Sequence, residues 1–202
     1  MEPLCEAHLE ALWRHVSPEL FQYMNFWWWG SSLEEFSDVA RAIIARPDLM
    51  TFAMVLAETG EPVGSSAYLD IRPEHRALEI GATWISPAYQ ATFVNPSAKL
   101  LMLSHAFEEL GCIRVQFKTD ARNVQSLGAM EKLGCKKEGV LRKHVICRDG
   151  YIRDSVFYSI VDSEWPEVKA GLLERLAGRT PSGAPARKPQ STDEGEWEGV
   201  RI

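Results

Sequence analysis

The side chains with the most chemical potential in this chain are few. Asn123 and Ser126 stand at the start of a predicted helix, where a short side-chain oxygen accepts an otherwise unpaired backbone N–H. Both therefore read first as caps, and Ser126 adds a hydroxyl at the same place. Glu79 lies on one predicted strand and His144 on another. A carboxylate and an imidazole suit proton transfer, and the imidazole titrates near neutrality. Each also has a plain structural reading, a solvated sheet edge for Glu79 and an ordinary strand histidine for His144. The segment Gln90-Ala91-Thr92-Phe93-Val94-Asn95 precedes Pro96, which suits a first helical turn. A helix N-terminus there would favour an anion through its unpaired N–H groups and dipole. Finally, Phe26-Trp27-Trp28-Trp29 is an aromatic run whose members cannot all point inward. It reads either as an aromatic wall for a cationic ligand or as core and dimer packing.

Other chemistries find no footing. The chain lacks a phosphate-cradling G-x-x-x-x-G-K-[ST], a G-x-S-x-G elbow and an H-E-x-x-H pair. His8, His15, His75 and His105 are scattered, so no metal is expected. Cys5, Cys112, Cys135 and Cys147 form no C-x-x-C pair. They read as free thiols, each a small buried hydrophobe, in a reducing and therefore cytoplasmic setting. The net charge of -6 disfavours nucleic-acid binding and suits a cationic amine. No apolar run is long enough to span a membrane, and the start of the chain lacks the pattern of a signal peptide.

The elements that must position these groups follow from periodicity. With 202 residues and 46% apolar content, the chain reads as one globular domain over 1–177 and a disordered tail over 178–202, rich in Gly, Pro, Ser and charge. Helices are predicted over 4–16 and over 33–45, the second opened by a capping box from Ser31 or Ser32. Strands are predicted over 51–57, 63–71 and 78–85, followed by a loop over 86–95. A helix over 98–110 would show an apolar face of Leu100, Leu101, Leu103, Ala106, Phe107 and Leu110. A strand over 114–119 leads to a helix capped by Asp120 or Asn123 and closed by Gly134. A strand opens at Glu138, another runs 154–161, and an amphipathic helix covers 165–176. Alternating strands and helices predict an α/β (α+β) layered fold.

In this order, Asn123-x-x-Ser126, Lys132-Leu133-Gly134 and Glu138-Gly139-x-x-Arg142 resemble the C-terminal half of the GCN5-related N-acetyltransferases. Within them the match is nearest to the group that acetylates the N-termini of ribosomal proteins. The resemblance covers most of the chain between its two ends. It implies a mixed, mostly antiparallel sheet flanked by helices, in which the parallel central strands 78–85 and 113–119 splay apart to admit the pantetheine arm of acetyl-CoA.

The resemblance also implies roles. Coenzyme A would be held by Gln90, Ala91, Thr92, Phe93, Val94 and Asn95 at the helix N-terminus, and by Asn123 on the pantetheine. Backbone N–H groups over 82–85, including those of Trp84 and Ile85, would hold the acyl carbonyl, with Gly81 allowing a bulge. Ser126 would protonate the departing thiolate, and Glu79 or His144 would serve as the base. Trp27, Trp28 and Trp29 would wall the acceptor site. The implied reaction is direct attack of a primary amine, on a protein N-terminus or a small molecule, within a ternary complex of a monomer or homodimer. The family pattern puts small residues where this chain has Phe93 and Asn95, and a phenylalanine adopts a positive φ only at a cost. A second reading is therefore a non-catalytic or altered acyl-CoA-binding module on the same fold.

Overall fold

A computed structural model describes residues 1–24, 30–147 and 149–177, and its centre is one seven-stranded sheet. The strands are β1 (Glu2–Pro3), β2 (Met50–Val55), β3 (Pro62–Arg72), β4 (Ala77–Ile85), β5 (Arg114–Asp120), β6 (Lys136–Ile146) and β7 (Ile152–Val161). Their order across the sheet is β1-β2-β3-β4-β5-β7-β6, with β4–β5 the parallel pair and the other neighbours antiparallel. The helices are α1 (Leu9–Trp13), α2 (Leu33–Ile44), α3 (Val94–Ser104), α4 (Val124–Leu133) and α5 (Trp165–Ala177). A π-helical turn, His105–Glu109, extends α3.

Two apolar layers hold the sheet. On one face Leu9, Leu12, Phe36, Ala40 and Ile43 of α1 and α2 pack with Phe21, Ala53 and Trp84. On the other, Met102, Leu103 and Ala106 of the α3 region meet Met130 and Leu133 of α4 and Val168 and Leu172 of α5, over Leu78, Ile80, Val115 and Phe117. Leu78 and Ile80 of β4 and Val115 and Phe117 of β5 alternate onto the second layer with the period of a strand.

Most predicted elements stand within a residue or two of their expected ends, and the exceptions have physical causes. The first helix is short. Leu4 N donates to Thr51 O at 2.9 Å, and Glu2–Pro3 pairs with β2, so the chain's start joins the sheet before α1 begins. The apolar face of α3 is rotated from the expected one. Val94, Ala98, Lys99, Met102 and Leu103 are buried, whereas Leu101 and Leu110 are 53% and 51% exposed. Cys112 and Cys135 are buried as expected, but Cys5 is exposed and Cys147 half-buried. Caps follow the side-chain chemistry. Ser32 Oγ accepts from Glu35 N at 3.2 Å at the start of α2, and Asn123, not Asp120, caps α4. The expected tail over 178–202 and the aromatic run of Phe26, Trp27, Trp28 and Trp29 lie outside the described residues.

Candidate active site

The pairing of β4 with β5 is brief. Ala77 faces Arg114, Leu78 faces Val115 and Glu79 faces Gln116, and there the parallel register ends. Beyond it β4 runs on to Ile85 beside β3, and β5 runs on to Asp120 beside β7. The two strands therefore diverge and leave an opening between their C-terminal halves, as expected for strands 78–85 and 113–119.

A bulge sits at the edge of that opening. Ala67 pairs with Gly81 and Ser65 with Trp84, so β4 carries one more residue than β3 over this stretch. Ala82 takes φ 48°, which marks the bulged residue. The bulge resets the alternation. Ile80 and Thr83 both face α3, and Trp84 turns to the opposite face, where its ring meets Phe21 at 5.6 Å. The Trp84 side chain is thus core, and only its backbone lies along the opening. A side chain at Gly81 would displace its neighbours. A Cβ on it would fall 2.5 Å from Leu69 Cδ1 and 3.1 Å from Glu79 Oε1.

Two helix N-termini flank the mouth. Ahead of α3, Ala91 supplies the left-handed turn with φ 59°, and Phe93 keeps φ -71° in the helical region. The phenylalanine is therefore unstrained, and the positive φ falls at Ala91, two residues before it. Thr92 Oγ1 donates to Tyr89 O at 2.6 Å and accepts from Val94 N at 3.3 Å. Pro96, in the first turn, has no N–H to offer, so this N-terminus presents fewer free donors than an ordinary helix start. Asn95 Oδ1 is buried without a hydrogen-bond partner among the described residues. An unpaired acceptor here fits the amide N–H groups of a pantetheine chain. Across the mouth, Asn123 Oδ1 accepts from Ser126 N at 3.0 Å, and Gln125 Nε2 donates to Gln90 Oε1 at 3.1 Å. Gln90 Nε2 in turn donates to Ile85 O at 3.2 Å. The loop over 86–95 and the start of α4 are thereby tied into one rim that contains Gln90, Asn123 and the half-buried Ser126.

Glu79 and His144 belong to the other face. Glu79 is 2% exposed, which overturns its reading as a solvated edge. Gln116 Nε2 and Lys118 Nζ both donate to its Oε2, each at 3.0 Å, while Oε1 lies against Gly81 beside the bulge. His144 is re-aimed by an irregularity in β6, where four steps from Leu141 to Val145 match two from Ser155 to Arg153 and Lys143 takes φ 51°. Its Nδ1 lies 3.0 Å from Ser155 Oγ, which accepts from Arg153 Nε at 2.9 Å. Ser155 thus ties the imidazole to the Arg153 guanidinium through one hydroxyl. Burial, with help from Lys118 and Arg153, holds the imidazole below its ordinary range and keeps it neutral.

Lys99 and its partners escape a reading of the sequence by residue type. The lysine is 7% exposed, and its Nζ donates to Thr83 Oγ1 at 2.9 Å and reaches Ser66 Oγ at 3.5 Å. The two hydroxyls are 2.7 Å apart. The ammonium also lies 5.9 Å from the centroid of the Phe117 ring on β5. The usable signal is helical spacing, since Lys99 precedes buried Met102 and Leu103 by three and four positions.

The model of the acetyltransferase (GNAT) domain family matches residues 1–136. A crystal structure from T. thermophilus, described as an acetyltransferase, is 39% identical with a TM-score of 0.81 and covers 87% of this chain and 92% of its own. A GCN5-related N-acetyltransferase from Brucella melitensis is 26% identical with a TM-score of 0.84, over 93% of this chain and 87% of that one. The uncharacterized N-acetyltransferase p20 of Bacillus licheniformis is 24% identical over 157 residues, 73% of this chain and 83% of its own length. Among the described residues no helix is long and apolar enough to cross a membrane, and no group of three or more His, Cys, Asp or Glu side chains is placed to hold a metal.

Proposed function

This chain belongs to the GNAT acetyltransferase family, and on that premise we propose that it moves the acetyl group of acetyl-CoA to a primary amine by direct attack in a ternary complex. The observation that carries the reading is the opening between β4 and β5 with the bulge at Ala82–Thr83 on its rim. A thioester placed in that opening meets backbone N–H groups freed from the ladder by the bulge, which can bond a carbonyl oxygen as it gains charge.

Acyl donor and acceptor would approach from opposite faces. Gln90, Asn95 and Asn123 on the rim would bind the donor, Asn95 through its unpaired amide oxygen. Ser126, beside them, would pass a proton to the departing thiolate, whose conjugate acid has a pKa near about 8.5. On the other face Glu79 is the better base. Its Oε1 is turned to the bulge, whereas His144 Nδ1 is already engaged with Ser155 Oγ at 3.0 Å. Glu79 would draw the proton from the incoming ammonium, directly or through water. The acceptor class that fits the resemblance of Asn123-x-x-Ser126 and Glu138-Gly139-x-x-Arg142 is a protein N-terminus, and a small amine is the alternative.

Two measurements test this. Acetyl-CoA should raise the melting temperature by mass action, and labelled acetyl groups should pass to at least one member of a panel of peptide N-termini, polyamines and amino sugars. No thermal shift at millimolar acetyl-CoA would favour a non-catalytic module on this fold.

A further inference from the structure

We propose that Lys99 is a catalytic cation: its ammonium, held at the β4 bulge, polarises the thioester carbonyl and faces the negative charge that builds on the oxygen as the amine attacks. The proposal rests on the acyl-transfer reading above and adds a charged group to it.

The first support is position. Lys99 Nζ binds Thr83, a bulge residue on β4, and overlies Phe117 on β5. Both residues lie past Glu79 and Gln116, where the parallel pairing stops. The ammonium therefore lies at the gap between the diverging strands, on the α3 side, opposite Glu79.

The second support is the absence of a counter-charge. A buried ammonium retained for folding is ordinarily matched by a carboxylate. Among the described residues, the hydrogen-bond partners of Lys99 are two hydroxyls, Thr83 and Ser66. Its titratable neighbour is Cys135, a thiol that burial pushes up to about 12 and so keeps neutral. Burial lowers the lysine itself to about 8, which leaves it mostly protonated at neutral pH. An uncompensated cation beside a site for a carbonyl is arranged for an anion that exists only during the reaction.

The step balances without a further reactant. The amine nitrogen bonds the carbonyl carbon, and the π pair moves to the oxygen beside Lys99, which keeps its proton. Collapse restores the C=O bond and breaks the C–S bond, whose pair leaves on sulfur and takes a proton. The proton that Glu79 takes from the ammonium before attack is released to solvent, and the extra proton that attack leaves on nitrogen then goes to that base.

The test compares wild type with Lys99→Met and Lys99→Gln. Acetyl-CoA affinity is measured by calorimetry, and kcat with the best amine from the panel. The infrared carbonyl band of bound acetyl-CoA, isotope-labelled at the thioester, is recorded without acceptor. Both variants should lose roughly 10²–10³-fold in kcat, with acetyl-CoA affinity changed by less than about 3-fold. The carbonyl band should move to lower frequency on binding wild type and return toward its free value in both variants. A wild-type protein that binds acetyl-CoA without shifting the band, or variants with unchanged kcat, would overturn the role of Lys99 alone. A wild-type protein that does not bind acetyl-CoA overturns the acyl-transfer reading and this inference together.

Discussion

Replacing Lys99 by methionine should stabilise the protein while it slows the reaction. Burial takes the lysine from its ordinary 10.5 to about 8. At about 1.4 kcal/mol per tenfold change in proton affinity, the folded state bears about 3 kcal/mol for holding this charge at neutral pH. Methionine keeps an unbranched apolar stem and removes the charge. The stranded hydroxyls of Ser66 and Thr83 still have each other at 2.7 Å, so the loss of their bonds to nitrogen should offset only about 1 kcal/mol. A net gain of about 1–3 kcal/mol at pH 7 is expected, in line with the tolerance of buried charge sites for apolar replacements.

The sign of the pH dependence separates this account from a simple packing effect. Between about 8 and 10.5 the unfolded lysine still binds its proton and the folded one has released it. Wild-type stability therefore gains from Lys99 as pH rises through that window. The methionine variant has no such contribution, so its advantage should shrink toward high pH. The raised thiol of Cys135 works the other way in both proteins, because its unfolded form ionises above its ordinary 9.0 and favours unfolding. The informative quantity is thus the difference between the two proteins. Urea unfolding at pH 7, 8, 9 and 9.5, with equal m-values required, measures it. A variant less stable than wild type by more than about 1 kcal/mol at pH 7, or a difference that does not change with pH, would refute the reasoning.

Further outcomes follow from the same geometry. Ser126→Ala should lower kcat by about 10–10²-fold with little change in acetyl-CoA KM, and an unchanged kcat in steady-state assays removes the serine from the acid role. Glu79→Gln should cut kcat about 10²-fold in steady-state assays, and an unchanged kcat would remove Glu79 from the base role. Asn123→Ala should cost about 1 kcal/mol in urea unfolding through the lost cap on α4, and Asn123→Asp should restore the cap without restoring acetyl-CoA affinity if the amide also binds the donor. Gly81→Ala brings a methyl to 2.5 Å of Leu69 Cδ1 and 3.1 Å of Glu79 Oε1, so kcat should fall even where calorimetry shows a melting temperature close to wild type.

Much of this site is legible from periodicity, and what is not has a definite cause. The strands 78–85 and 114–119 show themselves through alternation, and Asn123 through cap chemistry, because those preferences are local. The length of α1 depends on Glu2–Pro3 finding β2, a pairing across about fifty residues of chain that no local window contains. The conformation of Phe93 depends on Ala91 taking the left-handed turn instead, a choice made by the whole connection and not by one position. Lys99 is hidden for a different reason. Its residue type argues for solvent and its spacing argues for the core, and only the packing of α3 on β3 and β4 decides between them. The burial of Glu79 is decided likewise, by Gln116 and Lys118 arriving from β5.

The two faces of the sheet treat charge in opposite ways, and this difference bears on how the site can work. On the α1–α2 side Glu79 has its cation in Lys118, 3.0 Å away, so the carboxylate is already compensated before any substrate arrives. On the α3 side the hydrogen-bond partners of Lys99 among the described residues are hydroxyls. An amine approaching Glu79 would meet a carboxylate already paired with Lys118 but with Oε1 turned to the bulge, and a thioester oxygen beside Lys99 would meet an ammonium held by neutral hydroxyls, with the opening between β4 and β5 separating the two. Pairing Lys99 with a carboxylate would make the fold easier to stabilise but would neutralise the field where the oxyanion forms. An unpaired ammonium at that position takes about 3 kcal/mol from the roughly 5–15 kcal/mol that holds a domain of this size together, a cost that the proposed role at the oxyanion would account for.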